Sequence, residues 1–233
     1  MTRTNSPYAA HSALPLMIWL SPAFPVGSFA YSHALEWAVE AGDVTGAGTL
    51  QAWIADVLEH GSPRNDAIIL SDAWRAVRDA DLAALADAND LALALAGSRE
   101  RLVETASQGD AFRIAIRAAW RTAAFDTADA AIEGDIAYPV AVGMTAAAHD
   151  LDLGATLDAY LMMLLSNLTS AAIRLSVIGQ THAQRIVMEA LPAIRELGLY
   201  AAHATLDDVG GCAFRSDIAS MRHETQTTRL FRT

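Results

Sequence analysis

Apolar residues along this chain recur mostly at helical spacing. Leu50, Trp53, Ile54, Val57 and Leu58 form one such stripe, with Thr49 as its cap and Gly61 as its stop. Leu102, Ala106, Phe112 and Ile116 continue the pattern behind Ser98, which predicts a capped helix over 98–121. Similar stretches predict helices over 64–78 and 81–95, while 122–137 is weakly patterned. Pro139 suits the first turn of a helix reaching His149, where its missing N–H costs nothing. The stretch 156–178 is the longest and most apolar, so it is expected to run through the middle of the molecule. Shorter helices are expected over 183–190 and 192–204, divided at Pro192. Near the start, Leu14–Leu20 ends at Ser21-Pro22, and a helix carrying Phe29, Leu35 and Trp37 should follow Gly27 and stop at Gly42. No long alternation of β-branched with polar residues supports a sheet. The expectation is an all-α, irregular single-domain bundle over 14–206, with a flexible arm over 1–13 and a tail over 207–233.

Composition sharpens this. Apolar residues make up 53% of the chain and aromatics only 7%, so the interior is built from Ala, Leu, Ile and Val, which suits closely packed helices. Asp and Glu number 27 against 16 basic residues, a net charge of -11, which argues against nucleic acid as a partner. Every basic side chain is Arg, which removes both a Schiff-base lysine and a P-loop lysine. Cys212 stands alone, with no Cys-x-x-Cys, and fits a reducing, cytoplasmic setting. Pro22, Pro25 and Gly27 interrupt what could pass for a signal sequence, and Ser166, Asn167, Thr169 and Ser170 break the best apolar run before the ~20 residues a bilayer needs, so no membrane span is expected.

Catalytic chemistry finds no local signature. The seven histidines form no metal-binding spacing, there is no Gly-x-Ser-x-Gly, and carboxylate pairs such as Asp56 and Glu59 read as solvated faces. No catalytic, cofactor-binding or metal-binding residue is therefore assigned.

Two segments are more specific. Ser21-Pro-Ala-Phe-Pro-Val-Gly-Ser-Phe-Ala-Tyr-Ser-His-Ala-Leu-Glu36 carries prolines and a glycine that impose a particular path before Tyr31 and Glu36. At the other end, Arg215, Arg222, Arg229 and Arg232 lie beside Met221, Leu230 and Phe231, a basic and partly apolar end to an acidic body. The first segment resembles the N-terminal signature of the urease accessory protein F family (UreF), apart from Ala34, where that family commonly has glycine. Arg99-Glu100 with Gln108-Gly109, Tyr138-Pro-Val-Ala-Val-Gly143, and Ser166–Leu175 followed by Gly179-Gln-Thr181 are similar to further family segments in the family's order. Met221-Arg-His-Glu-Thr-Gln226 and Arg229-Leu-Phe-Arg232 resemble its terminal motif, with Thr227 replacing a frequent aromatic.

The resemblance implies a non-catalytic, homodimeric urease accessory protein. Such a protein acts with accessory protein D/H to recruit and modulate the GTPase accessory protein G, which delivers nickel to apo-urease. Nickel and GTP would then be handled through partners, with no cofactor held stably. It also implies partner-binding roles for Tyr31, Glu36, Met221, Arg222, His223, Glu224, Arg229, Leu230, Phe231 and Arg232, with the tail ordering as it meets D/H. Pro25, Gly27, Asn167, Arg174 and Gln180 are expected in structural or dimer contacts. The rival classes are a helical adaptor for other partners and a helical enzyme. The enzyme would need a pocket of clustered, perturbed titratable groups.

Overall fold

Most of the expected helices form, and the caps explain their ends. The computed structural model describes residues 13–233; residues 1–12, most of the arm expected to be flexible, lie outside the described residues. Among the described residues eleven α-helices and two 3-10 turns (28–30 and 206–208) follow one another with no strand. The helices are α1 (Leu14–Trp19), α2 (Leu35–Glu40), α3 (Ala47–His60), α4 (Ser62–Arg78), α5 (Leu82–Ala94) and α6 (Arg99–Ala119). They continue with α7 (Ala123–Asp129), α8 (Tyr138–Ala148), α9 (Leu153–Arg174), α10 (Gln180–Ala201) and α11 (Phe214–His223). Ser98 caps α6 by accepting from the Arg101 N–H at 3.2 Å, and Pro139 sits in the first turn of α8. Thr49 works from inside α3, where its hydroxyl accepts the N–H groups of Thr45 and Gly46 at 2.9 and 3.1 Å.

Four departures from the sequence expectation are physical. The helix expected from Gly27 to Gly42 is broken, because His33 and Ala34 have φ of +52° and +65°, and α2 begins only at Leu35. This left-handed turn gives a backbone reason for glycine at position 34, since a Cβ is disfavoured there. The long apolar helix starts earlier, behind an Asp152 cap, and stops at Arg174. Ser176 turns left-handed with φ +61°, and the Val177 N–H closes onto the Ala172 carbonyl at 3.0 Å. The two short helices are one, α10, with Pro192 inside it. Pro192 lies on the exposed face, so the lost bond to the Met188 carbonyl costs least, and Ala183, Ile186, Ile194 and Ala201 keep one buried stripe through it.

The centre belongs to α8 instead of α9. All eleven residues of α8 are buried, whereas α9 exposes Ser166, Ser170 and Arg174. Small side chains make this possible. A Cβ on Gly143 would lie 2.3 Å from the Leu70 carbonyl oxygen on α4, and one on Gly109 of α6 would lie 1.9 Å from the Ile136 carbonyl oxygen before α8. Backbones therefore touch at both positions.

The end of α4 supplies a simple test. Ala80 is exposed with φ +56°, and the Asp81 N–H reaches back to the Ala76 carbonyl at 2.8 Å. Ala80→Gly is expected to stabilise the chain by about 0.5–1 kcal/mol, relief of the left-handed strain exceeding the added entropy of the unfolded chain. The check is a higher urea midpoint at unchanged m-value.

Candidate functional site

The tail lies on the body of its own chain. Helix α11 packs on α2 and α6, and residues 229–233 continue against the 28–36 turn. Glu36 is the hub. Its carboxylate accepts the backbone N–H groups of Leu230 at 2.6 Å and Phe231 at 2.9 Å, and faces His223 Nε2 at 3.2 Å. The other ring nitrogen, Nδ1, faces Glu100 Oε2 at 2.6 Å. Each nitrogen of this fully buried ring thus faces a carboxylate oxygen. Arg229 reaches Glu100 Oε1 at 2.5 Å and donates to the Gln226 and Glu224 carbonyls.

The last residues complete the seat. The Arg232 N–H donates to the Ala30 carbonyl at 2.8 Å, and Ser32 donates to the Thr233 oxygen through both N–H and Oγ. Thr233 Oγ1 donates to Glu104 Oε2 at 2.8 Å. Phe231 is only 4% exposed, with the Arg174 guanidinium 4.2 Å from its ring centroid; Arg174 also donates to the Phe29 carbonyl. Phe231 and Thr233 are buried, while Leu230 and Arg232 are exposed.

This geometry sorts the residues singled out in the sequence. Glu36, His223, Phe231 and Tyr31 are buried, and Arg229 is tied to Glu100. Glu224 accepts from the Arg99 N–H at 2.8 Å, helping to hold α11 on the start of α6, and Ser98 and Ser220 hydroxyls meet at 2.6 Å beside it. Met221 and Leu230 are each 54% exposed, and Arg222 and Arg232 are exposed, so these four form the outward face. Phe29, 69% exposed, adds to the apolar exposure of the 28–36 turn. Gly27 has φ +72° and opens the turn, while Pro25 is exposed. Arg174 leaves the apolar helix at its exposed last turn to cover Phe231. Asn167 is half-buried, with Nδ2 3.1 Å from Met163 Sδ, and Gln180 is the exposed first residue of α10.

Behind the seat lies a cavity of about 300 Å³ that sequence reasoning missed. Its walls include His33, Ser62, Asp66, Arg101, Leu164 and Asp217. Glu104 joins the two regions, receiving Thr233 from the tail side and Arg101 Nη1 at 2.6 Å from the cavity side. Arg101 also bonds Ser62 Oγ at 3.0 Å and contacts His33 Nδ1. Burial pushes His33 down to about 4, against the pull of Glu104. Burial would raise Glu104, but Arg101 and His33 outweigh it and hold the acid below its usual range. Asp66, which accepts from Tyr160 Oη at 3.3 Å, is pushed up to about 6 by burial, and Arg101 only partly offsets this. The cavity thus gathers perturbed groups of the kind the enzyme reading requires, with Arg101 committed to Glu104, Ser62 and His33.

Asp66 gives a signed pH prediction. Its native value lies above the unfolded one, so it costs nothing below about pH 4 and destabilises progressively as pH rises through 6. Asp66→Asn should therefore stabilise the chain at pH 7 relative to pH 4 by about 3 kcal/mol more than the unaltered chain. Urea titrations of both proteins at the two pH values check it. His33 acts oppositely, since stability falls as pH drops from 6.5 towards 4, and it is common to both proteins.

Among the described residues no group of three or more His, Cys, Asp or Glu is placed to hold a metal, and no helix is long and apolar enough to cross a membrane. Comparison with known proteins is consistent along the whole chain. The UreF family model matches residues 44–191. A urease accessory protein UreF of Xanthobacter autotrophicus is 51% identical over 221 residues, 95% of this chain and 91% of the relative. Those of Azorhizobium caulinodans and Methylobacterium radiotolerans are 48% and 49% identical, covering 100% and 97% of this chain and 99% of each relative. With a family model across its middle and near-full-length relatives at about half identity, this chain belongs to the UreF family of urease accessory proteins.

Proposed function

We propose that this chain is a non-catalytic, cytoplasmic scaffold of urease maturation. Acting as a homodimer with accessory protein D/H, it recruits the GTPase accessory protein G and modulates its delivery of nickel to apo-urease. Nickel is cargo in this reading, and GTP is turned over by the partner. The observation that carries the reading is the outward face of the seated tail. Met221, Leu230, Arg222 and Arg232 are held in fixed positions by buried Glu36, His223 and Phe231, on a body of net charge -11. Apolar and arginine side chains carried on a pre-ordered backbone are what a protein partner binds with least entropic cost.

The test uses point changes, because deleting the tail would also strip Glu36 and Glu104 of their partners. Leu230→Asp with Arg232→Glu should leave thermal unfolding within about 1 °C, since exposed substitutions are near neutral. It should also abolish co-purification with D/H and G, scored by size-exclusion light scattering. Undiminished assembly by this double variant would remove the tail face from the interface. The same experiment on the chain alone reads its dimerisation.

A further inference from the structure

We propose that the cleft holding residues 229–233 is a peptide-binding site in its own right, with the chain's own tail as a displaceable occupant, and that it takes the same segment in trans from a second copy. The recognition is largely through the main chain. Glu36 accepts two consecutive backbone N–H groups, Ala30 accepts a third, and Ser32 donates twice to the carbonyl at position 233. Side-chain selectivity comes from every second residue. Phe231 lies under Arg174, Thr233 bonds Glu104, and Arg229, in register with them, bonds Glu100. Main-chain bonds for affinity combined with side-chain pockets for selectivity are how protein clefts read peptides.

None of these contacts needs the ligand to arrive on the same chain. Thr225, Thr227 and Thr228, which lead into the seat, are exposed, while Gln226 between them is buried and donates to Glu40 at 2.5 Å, so exchange of the segment must also release that bond. What favours the resident tail is its effective concentration, on the order of millimolar for a short tether, and a second copy competes once that advantage is weakened.

The experiment uses the full-length chain. Phe231→Ala empties the aromatic pocket while leaving the seat intact, and the probe is a fluorescent octapeptide with the sequence of residues 226–233. The expected result is saturable binding to the Phe231→Ala chain with Kd below about 1 mM, at least about tenfold weaker binding to the unaltered chain, and about tenfold weakening when the peptide itself carries alanine for phenylalanine. Equal binding to both chains, or none to a Phe231→Ala chain whose circular dichroism is native, overturns the proposal. Should that variant not fold, Phe231→Leu replaces it with the same criteria. The second-copy source is read by mixing a Glu36→Ala chain, which has a sound tail and a broken seat, with the Phe231→Ala chain, which has the reverse. A tail-dependent pairing absent from either variant alone supports exchange between copies, and its absence at concentrations tenfold above the peptide Kd overturns it.

Discussion

Replacing Gly143 by alanine is expected to destabilise the chain by about 4 kcal/mol or more, enough to unfold a domain of ordinary stability. The added methyl would sit 2.3 Å from the Leu70 carbonyl oxygen, a backbone atom that cannot rotate away as a side chain would. Relief requires α4 and α8 to separate, and α8 is buried along its whole length against α4, α5, α6, α7 and α9. Separation opens voids on several faces together. Gly48 is the control. It lies in α3, and a methyl placed on it would meet nothing within 4 Å, so Gly48→Ala should stabilise by up to about 1 kcal/mol, the ordinary helix preference. Urea unfolding of the pair separates contact from propensity; a small cost at Gly143 would mean that the helices are not held backbone to backbone.

Glu36→Ala should cost about 3 kcal/mol and release the tail. The loss is larger than for an ordinary surface acid, because this carboxylate is the acceptor for two tail N–H groups and one of the two carboxylates facing a fully buried imidazole. The expected observation is loss of hydrogen-exchange protection at Leu230 and Phe231, with the amides of α4 and α8 still protected in proportion to the remaining stability. Glu36→Gln keeps one acceptor oxygen and should fall between the two. Retention of protection at both tail amides in the alanine variant would show that Glu36 is not what holds the segment.

The helices were largely legible because their stripes are local. Ser98, Pro139 and Gly42 act at short range and stand where the pattern put them. The break at His33 and Ala34 was hinted at only by the family's glycine at position 34, because alanine is the strongest helix former; the bonds from Ser32 to the Thr233 oxygen and from the Glu36 N–H to Ser32 Oγ hold the other path. Pro192 misled for the opposite reason, since a local rule against proline yielded to a continuous buried stripe. At the site, the tail and turn were visible as unusual segments, and Arg99-Glu100 with Gln108-Gly109 was visible as a motif. That Glu36, Glu100 and Glu104 converge on the tail was not, because in a chain with 27 acidic residues a buried carboxylate looks like any solvated one. The cavity was equally silent, its walls coming from segments scattered between His33 and Ser220.

The hydrogen bond from Phe231 to Glu36 spans 195 residues and the one from Ser32 to Thr233 spans 201. Closing so long a loop gains nothing until the helices between are assembled, so the tail seats late on the folding route. Contacts made after the rate-limiting step leave the refolding rate nearly untouched and act on escape from the native state. The clasp joining the 28–36 turn to the tail is therefore expected to set how long the folded molecule lasts, while the packed glycines of α6 and α8 govern whether it forms.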